Sequence, residues 1–308
     1  MRQKKSTTSS SLALAAALVL GLGTTVVTAT APCDDFGECK VLIEINATDG
    51  DIGFHFLMDG DDLNSARIND PNGLKVFEDQ AKGPLKEQKL TETFAESAEP
   101  LCWPDPDADP DDEIVTLEEF LDRWTPGTYA FTGRGDQGEK SDGETELTFA
   151  LPAAPADVEF DGSVITWEAG DDLGNCASAA ELDVLVMDGV LPEHPEDVDV
   201  VAWEIVLEPD VDDGDPTGAF KFTIRVDGDI FVKAVTVPAD YLMSLPDDTP
   251  VKIEVGAIGV YDNATFSEED GFCVNEVAGC EAENNENSES LYRRDAIGGH
   301  SRSGWYNH

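Results

Sequence analysis

The stretch "CKVLIEINATDGDIGFHFLM", residues 39–58, decides the fold class. Val41, Ile43 and Ile45 alternate with Lys40, Leu42 and Glu44, and Ile52, Phe54, Phe56 and Met58 alternate with Gly53, His55 and Leu57. A period of two is the signature of a strand with one face on a core. Thr48-Asp49-Gly50 sits between the two runs. Asp and Gly tolerate the positive φ of a tight hairpin turn, so the stretch predicts two antiparallel strands. The aspartates at 59, 61 and 62 predict a second turn at the far end. Eight residues at about 3.3 Å each keep the two acidic groups more than ~20 Å apart, too far to share an ion within the strand. His55 falls on the face opposite Phe54, without a neighbouring His or Cys, and is read as a structural histidine.

The same pattern continues outward. "GTYAFTG" (127–133) and "GETELTFALP" (143–152) predict strands joined by a charged turn, and "TLEEFLDRW" (116–124) predicts a short helix ended by Thr125-Pro126-Gly127. "LTETFAES" (90–97) is compatible with a short helix or an irregular strand. LPAAPA (151–156) is the expected domain boundary. Beyond it, strands are expected on both sides of Asp161-Gly162, over 199–208, 219–226, 229–238, 250–260 and 271–277, with an irregular insert at 170–200. Many short strands with regular turn signals indicate an all-β chain of two tandem β-sandwich-like domains, 33–151 and 152–280. Residues 281–308 carry no periodicity and read as a disordered tail.

The chain start reads as an export signal, residues 1–29. Arg2, Lys4 and Lys5 precede an apolar run, Leu12–Gly23, too short to span a bilayer, and small residues follow it. Cleavage after Ala29 avoids the Pro32 that would follow a cut at Ala31. The expected place is therefore outside the cytoplasm: secreted, periplasmic or on the cell surface, with no membrane insertion after the signal is removed. Six cysteines, Cys33, Cys39, Cys102, Cys176, Cys273 and Cys280, agree with an oxidising compartment. Cys33–Cys39 would close a short loop, and Cys176 could pair with Cys273 or Cys280. No CxxC pair occurs, which weighs against zinc.

The 308 residues carry 65 acidic and 19 basic side chains, a net charge of −46. Nucleic acid and anionic membranes are poor partners for such a surface. Two readings of the charge stand: a solvated surface suited to salt water, and specific calcium binding. The calcium reading rests on "DADPDDEIVTLEEF" (107–120), which resembles an EF-hand or dockerin loop. Asp107, Asp109 and Asp111 take its first, third and fifth positions and Glu118 its twelfth. Asp112 replaces the turn glycine, and Pro104 and Pro106 forbid an entering helix. The bland reading is an acidic loop followed by a helix capped by Thr116 and Glu119. A second acidic loop, with Asp210, Asp212, Asp213 and Asp215, reads as a solvated connection before it reads as a calcium site.

The second half resembles a fibronectin type III domain. The resemblance lies in Pro152 and Pro155, Trp167 in "VITW", Trp203 in "WEIVLE", and "LPDDTPVKIEVGA" (245–257), which is similar to that family's corner before its sixth strand. Val251 stands where the corner tyrosine belongs, and the connection through 170–200 is longer than usual. The resemblance implies a sandwich that contacts protein or carbohydrate and spaces other modules. The first half resembles a set of uncharacterised exported bacterial proteins, in "ATDGDIGFH" and in the run from "LTETF" to "PGTYAFTG", which implies architecture only. No Gly-x-Ser-x-Gly, HExxH or phosphate loop occurs. The expected function is an exported non-catalytic binding, adhesion or structural module, calcium-stabilised under the second reading of the charge. The alternative is a carbohydrate-active hydrolase with paired carboxylates in the first domain, for which Glu92 and Glu96 offer helical i, i+4 spacing.

Overall fold

A computed structural model describes residue 33 and residues 35–104, 113–212, 214–278 and 280. The expected signal, the expected tail and the acidic residues Asp107, Asp109, Asp111 and Asp213 lie outside the described residues. The chain is all-β, as its alternation predicts. The opening hairpin is β1 (Glu38–Asn46) and β2 (Asp51–Leu63), paired in the register Leu42 to His55 and Glu44 to Gly53. Asn46 holds the turn. Its side-chain oxygen accepts from the Thr48 and Asp49 amides, and Gly50, at φ 82°, donates to its carbonyl.

The turn expected at Asp59–Asp62 is corrected: β2 runs through it to Leu63. Gly60 lets Phe36 and Leu63 press against the backbone, and Asp62 takes a positive φ in an irregularity of the pairing with β5 (Leu90–Glu96). β5 also settles "LTETFAES", which is a strand and not a helix. Leu90 and Thr93 are drawn inward, and the segment completes the edge beside β2. The insert at 170–200 is less irregular than expected. It contains α3 (Ala179–Met187), opened by a capping box in which Ser178 and Glu181 satisfy each other's backbone amides.

One sheet spans the molecule. It holds seven strands in the order β11 (Phe222–Asp227), β10 (Val200–Pro209), β13 (Thr249–Gly259), β14 (Ala264–Val274), β1, β2, β5. All neighbours are antiparallel except β1 and β14, which run parallel through Glu44–Ala264, Ile45–Thr265 and Asn46–Phe266. Two smaller sheets pack on it. One is β4 (Lys75–Gln80), β3 (Ser65–Asn69), β6 (Gly127–Arg134) and β7 (Lys140–Leu147); the other is β12 (Ala234–Thr236), β9 (Val164–Glu168) and β8 (Ala156–Phe160).

Each small sheet closes its own core. Ile43, Ile45, Ile52, Phe54 and Met58 meet Tyr129, Phe131 and Ile68, joined by Phe120 and Leu121 of α2 (Leu117–Leu121). Trp203, Ile205, Val251, Ile253 and Val255 meet Ile165, Trp167 and Val235. Cross-strand partners share a face, so the pairings Ile45–Thr265 and Thr265–Ala257 put both cores on one side of the large sheet. The architecture is two sandwiches with one layer in common. The chain is not divided between the cores at 151/152: Leu173, Cys176, Leu182, Leu185 and Leu191, which follow that point, pack in the first core, and the seven-stranded sheet runs through both.

The disulfides are Cys33–Cys39, Cys102–Cys176 and Cys273–Cys280. The expected pairing of Cys176 with Cys273 or Cys280 is corrected. Cys102 follows β5 on the first core, and the segment carrying Cys176 packs back onto that same core, far from the end of β14.

Candidate functional site

The two cores occupy one face of the large sheet and leave the other, the back face, to outward-pointing residues of all seven strands. Alternation and register decide who stands there: Glu204 and Glu208 on β10, Lys252 and Glu254 on β13, Phe266 and Glu268 on β14, Leu42 and Glu44 on β1, His55 and Leu57 on β2, and Glu96 on β5. It is a charged face with apolar residues between two clusters, and most of its side chains are buried.

The first cluster surrounds His55, which is 1% exposed. Its Nε2 lies 3.3 Å from Glu99 and its Nδ1 lies 4.0 Å from Glu44. Glu96 stands directly opposite on β5, and the Phe94 ring meets the imidazole edge-on at 6.0 Å. Burial alone would lower the pKa of His55. The hydrogen bond with Glu99 and the charges of Glu44, Glu99 and Glu96 outweigh burial, so the imidazole stays protonated above its usual range. Gly53 makes the contact with Glu99 available: a Cβ there would come within 2.8 Å of both the Glu99 carboxylate and His55 Nε2. Residues 97–100 are held to β2 by Phe54 and Ile52 as well, through the Ser97 hydroxyl, the Ser97 amide and the Pro100 carbonyl. A hollow of about 10 Å³ beside His55, lined by Leu42, Leu57 and Phe94, has room for one water.

The second cluster lies across β10, β13 and β14. Lys252 reaches Glu268 at 2.6 Å, Glu208 at 3.4 Å and Glu254 at 3.8 Å, and Lys221 also engages Glu208. Glu254 and Glu268 face each other across the pairing of β13 and β14. Burial pushes Glu254 up to about 8; Lys252 opposes this, and the neighbouring Glu268 and Glu208 add to it. Burial raises Glu268 as well, against the pull of Lys252. The hydrogen bond between the two carboxyls favours the proton on Glu254 and the charge on Glu268. At the edge, Arg225 binds the fully buried Glu204.

Between the clusters, Asn263 ties the molecule together. Its side chain is fully buried, accepts from the Ile43 amide and donates to the carbonyls of Thr148 and Ala150. β1, the turn from β13 to β14, and the segment before the second sandwich meet on this one amide.

The sequence candidates fall elsewhere. Glu118 lies exposed on α2, next to the capping box of Thr116 and Glu119. Its partners in the calcium reading lie outside the described residues. Glu92 and Glu96 are not on a helix; as β5 residues their Cα atoms are about 13 Å apart, not the one helical turn that the sequence reading gave them. Asp215 caps the turn at 216–219 through the Thr217 amide, and Asp210 donates its amide to Pro250. Among the described residues no three His, Cys, Asp or Glu side chains are arranged to hold a metal ion. Also among them, no helix is long and apolar enough to cross a membrane. Sequence reasoning missed Glu44, Glu99, Lys252, Glu254, Glu268 and Asn263. The first strand's alternation and the hairpin register already set Glu44 beside His55, whereas Glu99 follows only from the path of residues 97–100.

No protein-family model matches the chain, and a search of curated proteins finds no match. Solved structures to which it is similar include the BSP domain of a biofilm-associated protein, at 10% identity and TM-score 0.22 over 80% of this chain and 30% of that one. A tetra-tandem repeat from the extending region of a large adhesion protein is similar at 10% identity and TM-score 0.23, over 76% and 48%. A 1.5-MDa bacterial ice-binding adhesin is similar at 10% identity and TM-score 0.21, over 80% and 65%. The chain spans less than two thirds of the length of each.

Proposed function

We propose that this protein is an exported, non-catalytic adhesion or structural module whose work is to carry tension while its surfaces make contacts. The observation that supports this most strongly is the parallel pairing of β1 with β14, the first and last strands described. Tension applied at Glu38 pulls β1 one way along its axis, and tension at Val274 pulls β14 the other way. The hydrogen bonds between them are then loaded in shear, all at once, and not opened one after another. Beyond the ladder, the Ala47 amide donates to Phe266, and Thr48 exchanges two bonds with Glu268. Each loaded strand ends in a small disulfide loop, Cys33–Cys39 and Cys273–Cys280.

A fibronectin type III-like second half fits this reading, because a three-stranded sheet there faces β11, β10, β13 and β14. Export fits the disulfides. Calcium at Asp107, Asp109, Asp111 and Glu118 is the finer part of the proposal; calcium must then raise the melting temperature beyond what sodium chloride does at equal ionic strength. The test of the main reading is single-molecule extension by the chain ends compared with extension between residues 63 and 140, which loads the four-stranded sheet. A markedly higher force by the ends is expected, and equal or lower force by the ends contradicts the proposal.

A further inference from the structure

The free edge of the seven-stranded sheet at β11 differs from the others. β4 fills its edge with Lys75, Glu78 and Asp79, and β5 exposes Thr91, Glu92 and Glu96, the charges and polar groups that keep sheet edges from pairing. On β11 the two cations are turned back into their own sheet, Arg225 onto Glu204 and Lys221, just before the strand, onto Glu208. Of the rest, Phe222, Ile224 and Val226 are apolar, Thr223 is polar and Asp227 is an exposed anion. Ile224 is 36% exposed at the centre of the strand, Phe220 51% before it, and Phe231 and Val232 98% and 62% after it. Exposed apolar residues along and beside an open sheet edge suit an interaction site.

The strand is also complementary to itself. Written Lys221-Phe222-Thr223-Ile224-Arg225-Val226-Asp227, it has Ile224 at its middle. Antiparallel pairing of two copies about a two-fold axis at Ile224 sets Ile224 against Ile224 and Phe222 against Val226 on the core side. On the back face it sets Lys221 against Asp227 and Thr223 against Arg225. Directly opposed residues share a face, so apolar meets apolar on the core side, and on the back face Lys221 meets Asp227 at both ends of the pairing while a hydroxyl meets each Arg225.

We infer that the partner of the β11 edge is β11 of a second copy of this chain, so that two seven-stranded sheets join into one of fourteen strands. This goes beyond the tension-carrying proposal and does not depend on it: the dimer edge lies at the opposite end of the second sandwich's sheet from the β1–β14 junction.

Sedimentation equilibrium of the full chain at physiological ionic strength tests the inference. The expected result is a monomer–dimer equilibrium that either Lys221→Asp or Asp227→Lys weakens at least tenfold. The double variant, whose opposed charges are complementary again, should return to within a few-fold of the parent. Ile224→Lys leaves the ion pairs with Glu204 and Glu208 in place and should abolish association by opposing two like charges on the axis. Circular dichroism melts confirm that each variant is folded. A parent that stays monomeric at every concentration overturns the inference, as does a dimer indifferent to the single reversals, or a double variant as dissociated as the singles.

Discussion

At His55 the fold favours the protonated imidazole, and at Glu254 it favours the neutral carboxyl. The folded pKa of His55 lies above its unfolded value of 6.5. Its contribution is complete below that pH and disappears as pH rises through the folded value. His55→Gln should therefore destabilise by roughly 3 kcal/mol in acidic buffer, because Glu44 and Glu99 lose the cation between them. Urea midpoints across pH should show the penalty shrinking in alkaline buffer. Glu254 has its folded value raised to about 8 from 4.5, so the folded chain binds the extra proton and stability falls as pH climbs through that window. Glu254→Gln keeps a donor toward Glu268 without the charge. It should raise the unfolding free energy in mildly alkaline buffer by ~1–2 kcal/mol and do little in acid. Alternation alone placed His55 on the face opposite Phe54. Its carboxylate partners were hidden because one is read only through the hairpin register and the other arrives from a segment without periodicity.

Elements were legible where one local rule governed them. The hairpin of β1 and β2 and the capped helix α2 follow from alternation and from the Thr116–Glu119 spacing. β5 was ambiguous because its period-two signal is broken: Leu90 and Thr93 face inward three residues apart, across an irregularity opposite Asp59–Leu63. The cysteine pairing could not be read from spacing, since Cys102 and Cys176 meet only once both segments lie on the first core. That bond closes a loop with a sequence separation of 74, so removing it as Cys102→Ser with Cys176→Ser should cost about 4.5 kcal/mol in the chain-entropy account. Asn263→Ala strands the Ile43 amide and the carbonyls of Thr148 and Ala150 in a buried place. A loss of ~3 kcal/mol or more is expected in chemical unfolding, at the high end for a single residue.

On the scale of the molecule, all-β character was written in the sequence and the shared sheet was not. The residues of β1 and β14 that pair are 220 apart in the chain, and each strand looks locally like the member of its own sandwich. The net charge of −46 was legible, and its first consequence is self-repulsion. Moderate sodium chloride should raise the melting temperature by screening it. The parallel junction and the Asn263 amide couple the halves, so the two cores should unfold as one. Scanning calorimetry of the disulfide-intact chain tests this most directly. The expected trace is a single transition with equal calorimetric and van't Hoff enthalpies, displaced as a whole by Asn263→Ala; two resolved transitions, with only one moved by that substitution, would contradict it.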